Sequence, residues 1–238
     1  MPTLSTGLPL LHRGRSLVVR RTAPEDAALL FKQMYQNPDF MRLFRLNDAI
    51  ASEHQLAERL TRRLQVDPAQ SGYLELLLIH KQKGPIGVVA LADYAPLHRH
   101  TELLIGLFAA AHRHHSYGLE GCLLVGDLVF NQYGLHRLYA YTYQYNHYAQ
   151  KSLEAGGFVL EGVMQEHVFD SATQQFINLH VYGMTAPQFR QNARLARLAQ
   201  RLVGRDITQP LPCVSASPTP QKSQPRFVRS GPRQLGND

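Results

Sequence analysis

The chain has 238 residues, of which 44% are hydrophobic and 18% charged, and it contains two cysteines. This length and composition are typical of a globular protein with one sizeable core, and so few cysteines argue against a disulfide scaffold. The chain does not open on a basic start with an apolar run, and no stretch approaches the roughly 20 apolar residues of a membrane span. We therefore expect a cytoplasmic protein.

The formal net charge of +7 is confined to the C-terminal end of the sequence. Residues 1–187 contain 16 basic and 16 acidic residues, whereas residues 188–238 contain nine basic and two acidic ones. A nucleic-acid-binding domain is usually basic, so the neutral residues 1–187 do not resemble one. The excess positive charge lies in residues 188–238.

Runs of β-forming residues alternate with helically spaced leucines and predict strands and helices in turn. We expect strands at residues 16–21, 73–80, 85–94, 101–108, 136–143, 158–169 and 175–184. We expect helices at about 24–36, 52–66, 119–134 and 146–157. Because hairpins lie at both ends of this series, the predicted fold class is α/β with a mixed sheet rather than an all-parallel one.

Composition divides the chain into four segments. Residues 1–15 are an N-terminal lead, 16–187 the globular domain, 188–204 a basic amphipathic helix, and 205–238 a tail rich in Pro, Ser and Gln that we expect to be disordered. The helix carries four arginines on one face: Arg190, Arg194, Arg197 and Arg201. An anionic membrane, RNA or an acidic protein would each suit that face.

The stretch AAAHRHHSYGLEG, residues 109–121, lies between a predicted strand and a predicted helix. Its histidines, His112, His114 and His115, raise the question of a metal site, but zinc ligands usually come as separated pairs that converge, so we expect no metal. A polar surface turn and an anion-binding loop remain. The loop alternative has a physical basis, because unpaired N–H groups at the start of a helix bind anions and Arg113 adds a cation.

The same stretch resembles the pyrophosphate loop of the GNAT acyl-CoA N-acyltransferases, Gln/Arg-x-x-Gly-x-Gly/Ala. Here the loop runs from Arg113 to Gly118, with Ser116 where the first glycine is usual. The family's Asn-x-x-Ala … Gly-Phe-x-x-Glu-Gly block is matched at Asn146, Ala149, Gly157, Phe158, Glu161 and Gly162. The resemblance covers residues 16–185 in order and is strongest to the branch of ribosomal-protein N-terminal acetyltransferases and polyamine acetyltransferases.

This resemblance implies a mixed, mostly antiparallel sheet of about seven strands, flanked by helices and splayed at the acyl-CoA site. It implies acetyl transfer from acetyl-CoA to an amine (a protein N-terminus, a polyamine or another small primary amine) by direct attack. Backbone groups of Leu107, Phe108 and Ala109 would contact the pantetheine, and Asn146 would steady it. Arg113 and the loop residues would hold the pyrophosphate: His114, His115, Ser116, Tyr117, Gly118 and Leu119.

Direct attack needs a neutral amine and therefore a proton acceptor. Glu102 matches a carboxylate that the family often places beside the acceptor, so it is either the general base or a strand carboxylate held in a hydrogen bond. The family's usual acid, a tyrosine seven residues after the Asn, is Leu153 here, so the thiolate would take its proton from water or from a neighbouring hydroxyl such as that of Ser152 or Tyr148. An inactive GNAT-fold module that binds acyl-CoA or docks onto a partner is therefore the alternative function.

Two further features concern packing. Tyr139, Tyr141, Tyr143 and Tyr145 alternate along the chain and are expected to share one face of the sheet, either as a substrate wall or as ordinary packing. Cys122 lies among apolar helix residues and is expected to be buried rather than nucleophilic. The sequence leaves the oligomeric state open, with a homo-oligomer as one alternative.

Overall fold

The structure is a computed structural model that describes residues 10–44, 50–113 and 115–210. Three sequence expectations lie wholly or partly outside this range: the role of His114, the first nine residues of the lead, and the tail from residue 211 onward.

Eight strands form one sheet in the order β1-β2-β3-β4-β5-β6-β8-β7. Their bounds are β1 Leu10–Arg13, β2 Leu17–Arg21, β3 Leu74–His80, β4 Gly84–Ala95, β5 His100–Leu107, β6 Arg137–Tyr143, β7 Val159–Asp170 and β8 Gln175–Thr185. Strands β5 and β6 run parallel, and the other neighbouring pairs run antiparallel. The predicted mixed sheet is confirmed. The additional strand is β1, a short piece inside the predicted lead.

Helices cover both faces of the sheet. They are α1 Ala27–Leu30, α2 Pro38–Leu43, α3 Glu53–Gln65, α4 Pro68–Ser71, α5 Ala110–Arg113, α6 Tyr117–Asp127, α7 His147–Ala155, α8 Ala186–Gln191 and α9 Ala193–Leu202. A 3-10 turn, Pro24–Asp26, precedes α1, and π-helical turns extend α1 and α6 over Phe31–Tyr35 and Leu128–Gln132.

The two faces of β3 show how the core is divided. Leu76 and Leu78 pack into a cluster with α6, α7, α8 and α9, whereas Leu77 and Ile79 pack into a second cluster with α1, α2 and α3. All seven residues of β3 are buried because both faces of the sheet are covered. This explains why β3 reads as a continuous apolar run rather than an alternating one.

The C-terminal segment differs from the sequence expectation of a single helix followed by a disordered tail. The helix breaks at Asn192, whose side chain accepts a hydrogen bond from the amide of Leu195 at 2.9 Å. Arg190 therefore leaves the arginine face and bonds to the carbonyls of Thr208 and Phe130 at 3.0 and 3.2 Å. Ile207 is fully buried, and apolar side chains of α9 and of the following turn complete the core. The folded domain therefore extends beyond both predicted boundaries, at residues 187 and 205.

Candidate active site

Strands β5 and β6 pair over three residues and then separate. His100, Thr101 and Glu102 of β5 face residues 137–139 of β6, and no further β5–β6 pair follows among the described residues, although β5 continues to Leu107. The separation opens a cleft in the middle of the sheet. The predicted splay therefore lies immediately beyond Glu102.

Two strands, β5 and β6, and four helices, α2, α5, α6 and α7, line this cleft. The strand walls are residues 103–107 of β5 and 140–142 of β6. The helical walls contribute Phe40, Leu43 and Phe44 from and just after α2, Gly118 and Cys122 from α6, and Ala149, Ser152 and Leu153 from α7. Arg113, Asn146 and Tyr148 complete the lining. The cleft is thus mostly apolar, with a cation and a few polar groups near the start of α6.

The turn before α6 accommodates the serine that replaces the family's glycine. Ser116 has φ −71° and ψ 13°, which an L-residue adopts without strain. Its carbonyl accepts the amide of Glu120 at 2.8 Å, the first intrahelical bond of α6. The amides of Tyr117, Gly118 and Leu119 precede that bond and have no partner within the helix. The start of α6 is therefore able to bind an anion beside Arg113, for which the described residues provide no salt bridge.

A further cation at the start of α6 was missed in the sequence. Lys83, in the turn between β3 and β4, bonds to the hydroxyl of Tyr117 at 3.1 Å. The ring of His80 lies 5.0 Å from that of Tyr117. Burial lowers the pKa of His80, and the positive charge of Lys83 lowers it further. The region thus carries positive charge at the start of α6; the two basic residues of the KQKG turn were the available signal.

Asn146 and Phe108 occupy different environments, although both were predicted to contact the cofactor. Asn146 lines the cleft and caps α7, its side-chain oxygen accepting the amide of Ala149 at 3.2 Å. Phe108 is buried against Phe40, with ring centroids 5.9 Å apart, and its amide donates to the carbonyl of Ile86. Among the described predictions, the cleft is lined by Leu107, Arg113, Gly118 and Asn146, and not by Phe108, Ala109, His115, Ser116, Tyr117 or Leu119.

Glu102 occupies the last paired position of β5, directly opposite Tyr139, and is 6% exposed. It lies one residue before the cleft lining begins. The hydroxyl of Tyr139 donates to Asp93, whose carboxylate also lies 3.3 Å from His100. Burial raises the pKa of Tyr139, and the negative charges of Asp93 and Glu102 raise it further. Glu102 thus belongs to an acidic group at the closed end of the cleft.

Three of the four tyrosines predicted to share one face of the sheet lie on one face of β6, whereas Tyr145 lies in the turn beyond the end of that strand. Tyr139, Tyr141 and Tyr143 are half-buried and alternate with buried residues 138, 140 and 142. Tyr141 lines the cleft, and its ring lies 5.6 Å from that of Tyr139. An aromatic row therefore connects the acidic group around Glu102 with the cleft.

The α2 side of the cleft was not predicted at all. The sequence Asn37-Pro38 was interpreted as the end of a helix, yet Asn37 also caps α2, accepting the amide of Phe40 at 3.1 Å. The available signal was an Asn N-cap followed by a proline in the first helical position. Helix α2 places Phe40 and Leu43 in the cleft.

Leu153 lines the cleft and offers no proton, whereas Ser152 and Tyr148 lie on the same wall. Cys122 is buried as predicted, and burial raises its pKa to about 12. The thiol is therefore protonated near neutral pH and is not a nucleophile.

Neither a metal-binding group nor a membrane-spanning helix occurs in the described part of the chain. Over residues 10–44, 50–113 and 115–210, no three His, Cys, Asp or Glu side chains are grouped so that they could hold a metal ion. In the same ranges, no helix combines the length and the apolar character that crossing a bilayer requires.

The family model of the acetyltransferase (GNAT) domain matches residues 16–159. This span is more than half of the chain, and it contains the separated strands, the loop before α6 and the Asn146 cap. The chain therefore belongs to the GNAT acetyltransferase family.

Solved structures share the fold. A spermidine N-acetyltransferase from Vibrio cholerae, in complex with CoA and spermine, is 20% identical, with a TM-score of 0.63 over 71% of this chain and 95% of its own. A protein from T. thermophilus assigned as an acetyltransferase is 20% identical, with a TM-score of 0.64 over 82% of this chain and 98% of its own. No curated protein sequence matches the chain.

Proposed function

We propose that the protein is an N-acetyltransferase that moves the acetyl group of acetyl-CoA to a primary amine by direct attack. The observation that carries the proposal is the early end of the β5–β6 pairing, which opens an apolar cleft directly onto the start of α6. A thioester with an apolar arm and an anionic tail suits a cleft with those two properties.

The chain's residues fit the acyl donor along its length. The walls of β5 and β6 would enclose the pantetheine arm, and Asn146 would contact its polar groups. Arg113 and the amides of residues 117–119 would hold the pyrophosphate. Lys83 adds a second cation on the same side. Within this proposal His115 and Ser116 contribute backbone rather than side chains, because neither lines the cleft.

The acceptor would approach from the opposite end, where Glu102, Asp93 and Tyr139 lie. Amines are cationic near neutral pH, so two carboxylates at this end would attract them. The spermidine acetyltransferase neighbour supports a polyamine acceptor, and a protein N-terminus or another small primary amine has the same reacting group. Glu102 would take a proton from the amine, directly or through a water. The amine nitrogen would then bond to the acetyl carbon as the carbon–sulfur bond breaks.

The proposal also includes a cytoplasmic site of action, which is consistent with only two cysteines in 238 residues.

A paired experiment tests the proposal. Thermal unfolding with and without acetyl-CoA measures donor binding, and release of the CoA thiol against a panel of diamines, polyamines and peptides with free N-termini measures turnover. Mass spectrometry of the products identifies the acceptor by a gain of one acetyl group. Stabilisation by acetyl-CoA together with an acetylated product supports the proposal. Stabilisation without any product would favour the alternative, an acyl-CoA-binding module without chemistry, which the leucine at position 153 brings into consideration.

A further inference from the structure

Three side chains from distant parts of the chain form a cluster beside the cleft, which we call the Arg42 cluster. Arg42 belongs to α2, Tyr145 lies in the turn after β6, and Asp170 is the last residue of β7. Nη2 of Arg42 lies 3.4 Å from Oδ2 of Asp170. The guanidinium carbon of Arg42 lies 4.9 Å from the centre of the Tyr145 ring, and the Tyr145 hydroxyl donates to the backbone carbonyl of Arg42 at 3.1 Å. Arg42 is therefore held both at its side chain and at its backbone.

Helix α2 belongs to the β5 side of the cleft. A Cβ atom at Gly106 of β5 would lie 2.5 Å from Cζ of Phe40 and 2.9 Å from Cδ2 of Phe44. The two aromatic rings thus lie directly on the backbone of β5, at a point where its pairing with β6 has already ended. Because α2 has six residues, which is too short for a helix that is stable alone, its position depends on such contacts.

Tyr145 and Asp170 belong to the other side of the cleft. Tyr145 follows β6, β6 pairs with β8, and β8 pairs with β7, which ends at Asp170. The side chain of Asp170 is 8% exposed, and its carboxylate also accepts the amide of Ala172 at 3.0 Å, so the hairpin itself fixes its position. Arg42 therefore joins the two parts of the sheet across the gap that the separation of β5 and β6 leaves.

The Arg42 cluster stands on the face of the sheet that carries Glu102. Leu104 of β5 packs with α1, α2 and α3, and Glu102, two residues earlier, points to the same side because side chains alternate along a strand. On β6, Ala140 packs into the core cluster of the opposite face, so Tyr141 points to the side of α2. Helices α6 and α7, beside which the donor would bind, pack on that opposite face. The Arg42 cluster thus lies on the acceptor side of the cleft.

We propose that Arg42 is a positioning residue for the acceptor amine. Through Tyr145 and Asp170 it holds α2 across the gap. This fixes the separation of Leu43 and Tyr141, which line the cleft from its two sides. The inference rests on the proposed acetyl transfer. Without the Arg42 contacts, α2 is held on β5 alone, so the acceptor side widens and the amine is placed less well for attack. The donor side, built by α6 and α7, keeps its shape.

Steady-state kinetics with two acceptors test this assignment: the amine that reacts fastest in the panel, and its analogue with one methyl group added to the carbon next to the nitrogen. A narrow acceptor side should make the wild type prefer the unbranched amine. In Arg42→Ala we expect KM for that amine to rise about tenfold, while kcat and KM for acetyl-CoA change less than about threefold. The preference in kcat/KM for the unbranched over the branched amine should fall about tenfold.

Variants of the two partners separate the contacts of Arg42. Asp170→Asn retains an oxygen for the Ala172 amide and removes the charge, and Tyr145→Phe removes the hydroxyl alone. Each should lower the preference, by less than Arg42→Ala does. Arg42→Ala combined with Asp170→Asn should behave as Arg42→Ala alone, because both changes break the same ion pair. Arg42→Lys retains the charge but cannot lie as a plane on the ring, so it should fall between the wild type and Arg42→Ala.

Arg63→Ala is the matched control. Arg63 on α3 also combines an ion pair, 3.3 Å from Glu75, with a ring contact, 4.2 Å from the centre of Tyr73, and it does not line the cleft. A general loss of stability should lower the melting temperature of both variants. The change in amine preference should appear in Arg42→Ala alone.

Hydrogen exchange measures the position of α2 without turnover. The amides of Met41 and Phe44 bond to the carbonyls of Asn37 and Phe40. In Arg42→Ala these two amides should exchange about fivefold faster or more, whereas the amides of α7 should keep their wild-type rates.

Three outcomes would overturn the assignment. One is an unchanged amine preference in Arg42→Ala. Another is an equal change of preference in Arg63→Ala. The third is exchange of the α2 amides at the wild-type rate in Arg42→Ala. If the wild-type protein acetylates no amine, the proposed function fails and this inference falls with it. An active wild type with an unaffected Arg42→Ala removes the role of Arg42 alone.

Discussion

The buried carboxylate of Asp127 on α6 accepts a hydrogen bond from the guanidinium of Arg205, 78 residues later in the chain. It also accepts one from His12 on β1 and one from the amide of Asn131. Burial alone would raise the pKa of Asp127, but the hydrogen bonds from His12 and Asn131 and the charge of Arg205 lower it. His12 and Arg205, which lie near the two ends of the described chain, thus both bond to α6, the helix that begins at the cleft.

Asp127→Asn should therefore reduce the free energy of unfolding by about 3 kcal/mol at pH 7, because it removes a buried carboxylate that three side chains hydrogen-bond and leaves the half-buried Arg205 without its counter-charge. The pKa of Asp127 is lowered in the folded state. Its contribution to the free energy of unfolding is therefore fully present above the ordinary Asp pKa of about 3.9, and it is lost as the pH falls through the lower pKa of the folded protein. Urea unfolding at pH 7 and at pH 3 measures this, with the exposed Asp39→Asn as control. An equal difference between wild type and variant at both pH values would assign the effect to packing.

Shortening the chain tests where the folded body ends. Phe189, Leu195 and Ile207 are buried in the core cluster that contains α6. A chain that ends after residue 187 loses these side chains, each worth about 1.5–3 kcal/mol, which is a large part of typical domain stability. It should be unfolded by circular dichroism, whereas a chain that ends after residue 210 should keep the full-length melting temperature and its stabilisation by acetyl-CoA. If the chain of residues 1–187 is folded and stable, α8 and α9 are not part of the core. If the chain of residues 1–210 no longer binds acetyl-CoA, residues 211–238 contribute to the binding site.

Arg113→Ala should weaken CoA binding about tenfold in calorimetric titration, because a charge-assisted contact to phosphate is lost. Gly118→Val should weaken it more. A Cβ at Gly118 would meet the Leu107 side chain at an ordinary 3.8 Å, so the fold should survive while the branched side chain blocks the ligand. Arg62→Ala, an exposed arginine of α3, is the matched control. Unchanged CoA affinity in both variants, with the fold intact, would make residues 113–118 a surface turn.

Glu102→Gln should lower turnover by about 10–1000-fold and leave CoA binding unchanged. Because Gln retains the shape but cannot accept the proton, the remaining rate depends on amine that is already neutral. The rate should therefore recover in part as the pH rises toward the pKa of the amine. A pH–rate profile of the wild type and of Glu102→Gln checks this. Asp93→Asn is the control, because it removes a negative charge at the same end of the cleft but leaves the proposed base, Glu102, in place. Wild-type turnover of Glu102→Gln at neutral pH would remove Glu102 from the mechanism.

The arginine face of α9 is reduced to three members by the break at Asn192. Arg194, Arg197 and Arg201 are exposed, whereas Leu195 and Ala199 are buried against the body. We predict that these three arginines bind anions through charge alone, because the apolar residues of α9 are already buried against the body. Arg194→Glu with Arg201→Glu should elute from a heparin column at lower salt and bind acetyl-CoA normally. A change in acetyl-CoA affinity would instead place α9 at the active site.

The sequence by itself determined the features that depend on neighbours along the chain. The strand pair β3–β4, the helix α3 and the helix α7 with its Asn146 cap follow from spacing and turn chemistry over a few residues. The loop from Arg113 to Gly118 was located because a strand, a small-residue turn and a helix follow one another directly. The absence of an acid at Leu153 is likewise visible in the sequence.

Contacts between residues distant in the chain were decided only by the tertiary structure. Which elements become neighbours in the fold decides three of these contacts: the burial of Ile207, the hydrogen bond of Arg190 to Thr208, and that of Lys83 to Tyr117. The contacts of Arg42 with Tyr145 and Asp170 likewise join residues that are 103 and 128 positions apart in the sequence. Periodicity shows which side of a strand is apolar, but the order of strands in the sheet is set by the packing of the whole core.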